Sequence, residues 1–129
     1  MALRVALDTN AYSAMSRGQE AIIDTLERAD AVCLPFIVVG ELRAGFAAGT
    51  KGTANERGLV RFTALPDVSV LHSSDTTSRH YAALYRQLRE QGTPIPTNDL
   101  WIAALVIEHD LALCSLDAHF ERLPQIRIV

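Results

Sequence analysis

The feature that most constrains this chain is an alternation. Short apolar runs take turns with longer stretches of helical period. The runs are "LRVAL" (3–7), "AVCLP" (31–35), "DVSVLH" (67–72), "LALCS" (111–115) and "IRIV" (126–129). Runs of this length, bounded by turn residues, read as strands. Strands alternating with helices imply a mostly parallel sheet covered by helices on both faces. The expectation is therefore an α/β fold in three layers, α/β/α, with about five strands. No repeat, low-complexity tract or second domain interrupts it, so residues 1–129 read as one domain.

The intervening stretches carry their own signals. "QEAIIDTLERA" (19–29) sets Ile22, Ile23 and Leu26 against Glu20, Asp24, Glu27 and Arg28, as an amphipathic helix does. "FIVVGELRAGFAAG" (36–49) has a β-branched start, but it follows Pro35. A helix from Phe36 or Ile37 is the reading favoured here. "KGTANERG" (51–58) is breaker-rich and polar, and reads as a connector to a helix running to about Ala64. "TTSRHYAALYRQLREQG" (76–92) is a helix with Tyr81, Leu84, Tyr85 and Leu88 on one face, stopped by Gly92. After the Pro-ruled "TPIPT", "NDLWIAALVIEHD" is apolar nearly all round and so reads as a buried helix.

Composition narrows the function. The net charge of −3 argues against a generic nucleic-acid coat, which is usually basic. Cys33 and Cys114 lie in strand-like runs with no CxxC or Cys/His cluster, so a zinc site is not expected. They read as buried thiols in a reducing cytoplasm, with a disulfide between them left open. The start, "MALRVALDTN", is too short in apolar residues for a signal peptide, and no run is long enough to span a membrane.

The chain has fifteen acids. Glu20, Asp24, Glu27, Glu56, Glu90, Glu108 and Glu121 read as residues of polar faces or turns. Four others stand at odd places. Asp8 ends the first strand, and Asp117 follows the fourth. In an open parallel sheet, ligands bind beyond the carboxyl ends of the strands. Asp99 sits in the first turn of the buried helix, although Thr97 or Asn98 could already cap it. Glu41 lies within the apolar run after Pro35.

Taken singly, each has a plain alternative. Asp8 could start an Asx turn, Asp99 could serve a helix dipole, and Asp117 could belong to a simple turn. If the four converge, two charges ~4 Å apart repel by roughly 4 kcal/mol at an effective dielectric near 20. Protonation or a divalent cation must then offset the repulsion. Oxygen ligands favour Mg²⁺, or Mn²⁺, over Zn²⁺. Such a cation would bind a phosphate oxygen and acidify a water, the chemistry of phosphodiester hydrolysis. Thr9, Asn10, Asn98 and Ser115 are short polar neighbours suited to orienting the carboxylates. His119, beside Phe120, reads as a packed or half-exposed side chain rather than a general base. Trp101 reads as core or dimer packing.

"ALDTN", "GEL" around Glu41, "TNDLWIAA" and "SLDAHFERLP" together resemble a PIN-domain ribonuclease. Their order, spacing and the chain length are similar to the VapC toxins of type II toxin–antitoxin pairs. The resemblance covers essentially the whole chain. It implies a PIN-like fold and places Asp8, Glu41, Asp99 and Asp117 on the acidic metal site. On that reading Asp8 and Asp99 hold the metal, and Glu41 and Asp117 act directly or through water. Asn10 and Ser115 fall on supporting positions, Ser115 where Thr is more usual. Asp117 is the least constrained of the acids. The resemblance further implies a Mg²⁺- or Mn²⁺-dependent endoribonuclease acting in the cytoplasm on structured RNA, transfer or ribosomal. It also implies a homodimer and an antitoxin partner that blocks the site.

Two other readings remain. A doubly wound phospho-acceptor or phosphohydrolase would use Asp8 with Mg²⁺. It lacks a DxD pair and a Lys after a late strand. A PIN-like module that holds RNA or a partner without cutting would usually have lost an acid.

Overall fold

The computed structural model describes residues 2–129. Four strands alternate with six helices. They are β1 (Arg4–Leu7), α1 (Thr9–Ser16), α2 (Glu20–Glu27), β2 (Ala31–Pro35), α3 (Phe36–Ala48), α4 (Gly52–Thr63), β3 (Val68–Leu71), α5 (Asp75–Gln91), α6 (Thr97–Glu108) and β4 (Ala112–Cys114). A 3₁₀ turn, Ala118–Arg122, follows β4.

The sheet order is β3-β2-β1-β4, and every pairing is parallel. The chain steps outward from β1 to β2 to β3, then returns across the sheet to place β4 on the other side of β1. Right-handed connections are nearly universal in such units. They put α1 to α4 over one face and α5 with α6 over the other. The strand order therefore reverses between β1 and β4, where open parallel sheets form ligand crevices.

The central strands are closed to water. Val5, Ala6 and Leu7 of β1 and Leu113 and Cys114 of β4 are all at 0% exposure. Burial on both faces explains why these runs lack polar alternation. Ile102, Leu105, Leu34, Leu88 and Phe120 fill the space between sheet and helices. Each such side chain contributes about 1.5–3 kcal/mol by leaving water.

Several sequence expectations need correction. The tail "IRIV" does not extend into a full fifth strand. It makes one parallel bridge, Leu113 with Ile128, held by Leu113 N–H to Arg127 O at 2.8 Å and Val129 N–H to Leu113 O at 2.9 Å. Asp8 does more than start an Asx turn, since residues 9–16 after it are helical and Asp8 is their N-cap. Residues 52–58 belong to α4 rather than to a connector. Two physical features explain that second change. Arg43 binds Glu56 through a bidentate pair at 2.9 and 3.0 Å, tying α3 to α4. Gly52 lets the chain turn tightly, since a Cβ there would lie 2.7 Å from the Phe46 carbonyl oxygen.

Two side chains also depart from expectation. Tyr85 is exposed rather than packed with Leu84 and Leu88. The Glu108 side chain is only 12% exposed and accepts a 2.5 Å hydrogen bond from Thr77. It ties the end of α6 to the start of α5, where a solvated face was expected. Gly92 stops α5 in the left-handed conformation, φ 72°, as its place in the sequence predicts. Trp101 stacks on Tyr81 with centroids 4.1 Å apart. Cys33 and Cys114 are buried free thiols. They sit on β2 and β4, on opposite sides of β1, two strand spacings or about 9–10 Å apart. That exceeds the reach of a disulfide.

Candidate metal centre and active cleft

Beyond the carboxyl ends of β1 and β4, a cleft of about 490 Å³ is lined by Asp8, Glu41, Asp99 and Asp117, with Thr9, Asn10, Asn98 and His119 beside them. The four acids come from four separate segments, and each is brought there by a local rule of backbone structure.

Asp8 leaves β1 and becomes the N-cap of α1, with extended backbone at φ −86°, ψ 177°. Its Oδ1 accepts the Ala11 N–H at 2.9 Å, the usual capping bond. Its Oδ2 accepts the Ser115 hydroxyl at 2.5 Å. Asp8 as a whole is 4% exposed. Burial raises its pKa most, and Asp117 and Asp99 raise it further by repulsion; the Ser115 and Ala11 hydrogen bonds pull the other way.

Asp99 lies in the first turn of α6, which Pro96 begins without any side-chain cap. Its carboxylate does not close the helix start. Its Oδ2 meets His119 Nδ1 at 2.8 Å instead. Its pKa is raised, first by burial and then by Asp117 and Glu41, against the pull of His119.

Asp117 caps the 3₁₀ turn and accepts the His119 N–H at 2.9 Å. Its own N–H donates to Ser115 Oγ at 2.9 Å. Ser115 thus fixes two of the acids at once, lying beneath the cleft rather than on its wall. Glu41, in the second turn of α3, accepts the Thr9 hydroxyl at 2.7 Å through Oε1. Thr9 and Ser115 therefore each hydrogen-bond a carboxylate of the four acids. Asn10 and Asn98 line the cleft as exposed side chains. Among the described residues, neither hydrogen-bonds a carboxylate.

His119 is the residue that sequence reasoning set aside. Its Nδ1 is 2.8 Å from Asp99 and 3.0 Å from Asp117. One ligand atom from each of the three lies within 4.8 Å of the others. The signal was present in the spacing. An Asp that caps a turn carries the residue two positions on back toward its own carboxylate.

The donor set fits a divalent cation. Carboxylate oxygens dominate, burial disfavours leaving them charged and unpaired, and no arginine or lysine lines the cleft among the described residues. Asp8, Asp99, Asp117 and Glu41 would hold it, directly or through water. The surface arginines Arg79 and Arg86 pair with Asp75 and Glu90 on their own helix, away from this site. No helix among the described residues is long and apolar enough to cross a membrane.

Comparison with known proteins places the fold and the family. Ribonuclease VapC5 of Mycobacterium tuberculosis is 29% identical over 91% of this chain and 85% of its own length. The crystal structure of VapBC-5 from Mycobacterium tuberculosis, from the VapBC family of toxin–antitoxin systems, matches with a TM-score of 0.74 and 26% identity, covering 98% of this chain and 97% of that one. DNA-bound VapBC from Salmonella typhimurium matches with a TM-score of 0.85 and 25% identity, over 98% and 97%. The PIN domain family matches residues 5–126. The chain belongs to the PIN-domain family.

Proposed function

We propose that this protein is a divalent-metal-dependent endoribonuclease, the toxin of a toxin–antitoxin pair, with residues 1–129 working as one nuclease domain. The observation that carries the reading is the convergence of Asp8, Glu41, Asp99 and Asp117 on one cleft at the strand-order reversal. The relatives named ribonuclease VapC and the VapBC complexes support the activity and the antitoxin partner.

Asp8 and Asp99 would hold the cation, with Glu41 and Asp117 binding it directly or through water. A Mg²⁺ or Mn²⁺ held there would supply Lewis acidity toward a phosphate oxygen and a water. Ser115 holds Asp8 and Asp117 in register, and Thr9 holds Glu41, so the carboxylates need little reorganisation. Among the described residues no arginine or lysine lines the cleft. A backbone phosphate would therefore meet positive charge there through the cation that the acids hold. Structured RNA, a transfer or ribosomal RNA, is the substrate class, recognised by shape and unstacked bases. A homodimer in the cytoplasm, its cleft blocked by the antitoxin, completes the reading.

The test incubates purified, antitoxin-free protein with total bacterial RNA in Mg²⁺ or in EDTA, beside Asp8→Asn. Discrete fragments that need both the metal and Asp8 are expected. RNA retained without cleavage would replace this reading with a non-cutting binding module.

A further inference from the structure

We propose that His119 is a nitrogen donor to the cation of this cleft, and that its imidazole tilts the site toward Mn²⁺ over Mg²⁺. The proposal rests on the metal-dependent reading above and names a ligand beyond its four acids.

The geometry is the first argument. His119 Nδ1 lies 2.8 Å from Asp99 Oδ2 and 3.0 Å from Asp117 Oδ1. Neighbouring donors in an octahedral shell with bonds of ~2.1 Å lie about 3 Å apart. Two of the three separations already have that spacing, and one ligand atom from each of the three residues lies within 4.8 Å of the others. Nδ1 carries at most one proton and faces two carboxylates, so the ring can donate fully to only one of them, while Asp117 Oδ1 is held by the His119 backbone N–H. A cation among the three satisfies both carboxylates and the nitrogen lone pair together.

The placement is built into the backbone. Asp117 Oδ1 holds the His119 N–H, and Phe120, the next residue, is fully buried. The ring is therefore carried on an anchored turn rather than on a free loop. Its side chain keeps 35% of its surface exposed, which leaves room for the small shift that coordination needs.

The selectivity follows from ligand chemistry. Mg²⁺ favours oxygen donors and keeps its waters, whereas imidazole suits later divalent metals. An oxygen ring with one imidazole therefore favours Mn²⁺ more than an all-oxygen ring does.

The test reads binding rather than cleavage. Mn²⁺ is titrated into the full chain and followed by electron paramagnetic resonance, with electron-spin-echo modulation to detect a coordinated ¹⁴N. Mg²⁺ affinity is read by competition with Mn²⁺. The wild type should show nitrogen modulation that disappears in His119→Gln and in His119→Ala. Both variants should lose about tenfold in Mn²⁺ affinity and less than about twofold in Mg²⁺ affinity. Mn²⁺ binding that lacks nitrogen modulation, stays unchanged in both variants and still falls in Asp99→Asn would overturn the proposal and leave the acidic site standing. Absence of Mn²⁺ and Mg²⁺ binding to the wild type would overturn the metal-dependent reading and this proposal together.

Discussion

Ser115 Oγ donates to Asp8 Oδ2 at 2.5 Å, joining residues 107 apart in sequence across neighbouring ends of β4 and β1. The same oxygen accepts the Asp117 N–H at 2.9 Å. One hydroxyl thus sets the spacing of two acids. Ser115→Ala should cost about 10–100-fold in cleavage and in metal affinity, the usual range when a group orienting a ligand is lost. Ser115→Thr keeps the hydroxyl and should restore most of both. Equal activity in the alanine and threonine variants would remove Ser115 from the site.

Thr9 offers a parallel case with less structural cost. Its hydroxyl reaches Glu41 Oε1 at 2.7 Å. Thr9→Val preserves shape and removes only that bond. Cleavage should fall by about tenfold, while the melting temperature moves little because Thr9 is only half-buried. A fall in stability without a fall in rate would make the contact structural.

The raised pKa values of Asp8 and Asp99 fix the sign of a pH effect. Burial is the main cause for both. The folded, metal-free protein therefore binds more protons than the unfolded chain between the ordinary carboxylate value, 3.8, and the raised ones. Stability must then fall as pH rises through that window. This is opposite to the usual contribution of a salt-bridged carboxylate. In EDTA, the wild-type melting temperature should decline more steeply across the window than that of Asp8→Asn or Asp99→Asn. Parallel profiles would show that these two acids do not titrate abnormally.

Away from the cleft, Thr77 is fully buried, and its hydroxyl makes three hydrogen-bond contacts, the longest with the Ser74 hydroxyl at 3.5 Å. It accepts the Ser74 N–H at 2.9 Å and donates to Glu108 at 2.5 Å. Thr77→Val should destabilise the fold by about 1–3 kcal/mol, measured by denaturant unfolding, with cleavage per folded molecule unchanged. A loss of rate at full folding would couple this distant contact to the site.

Much of this was legible in the sequence because burial on both faces makes parallel strands read as unbroken apolar runs. The Pro35 boundary of α3 and the apolar girdle of α6 were legible for related reasons. The four acids stood out because each interrupts an apolar context. Other features depend on partners remote in sequence. Asp8, Thr9 and Asn10 look like the start of a turn until Asp8 acts as the N-cap of α1. Residues 52–58 look like a connector until Glu56 meets Arg43. The tail stops at one bridge with Leu113. Glu108 resembles a solvated helix residue because its partner, Thr77, lies 31 residues away. His119 resembles a packing histidine because its contacts with Asp99 and Asp117 arise only when α6 and the turn after β4 meet.

The most direct measurement is a set of four melting curves, for wild type and Asp8→Asn, each in Mg²⁺ and in EDTA. In EDTA the variant should be the more stable, by about 1 kcal/mol, a usual size for one substitution, because an amide removes the repulsion and keeps the Ala11 cap. Mg²⁺ should raise the wild-type melting temperature, since a ligand that binds only the folded state stabilises it, and should leave the variant nearly unmoved. A wild type indifferent to Mg²⁺, together with a variant less stable than it in EDTA, would contradict the account. Asp8 would then be a capping residue and nothing more.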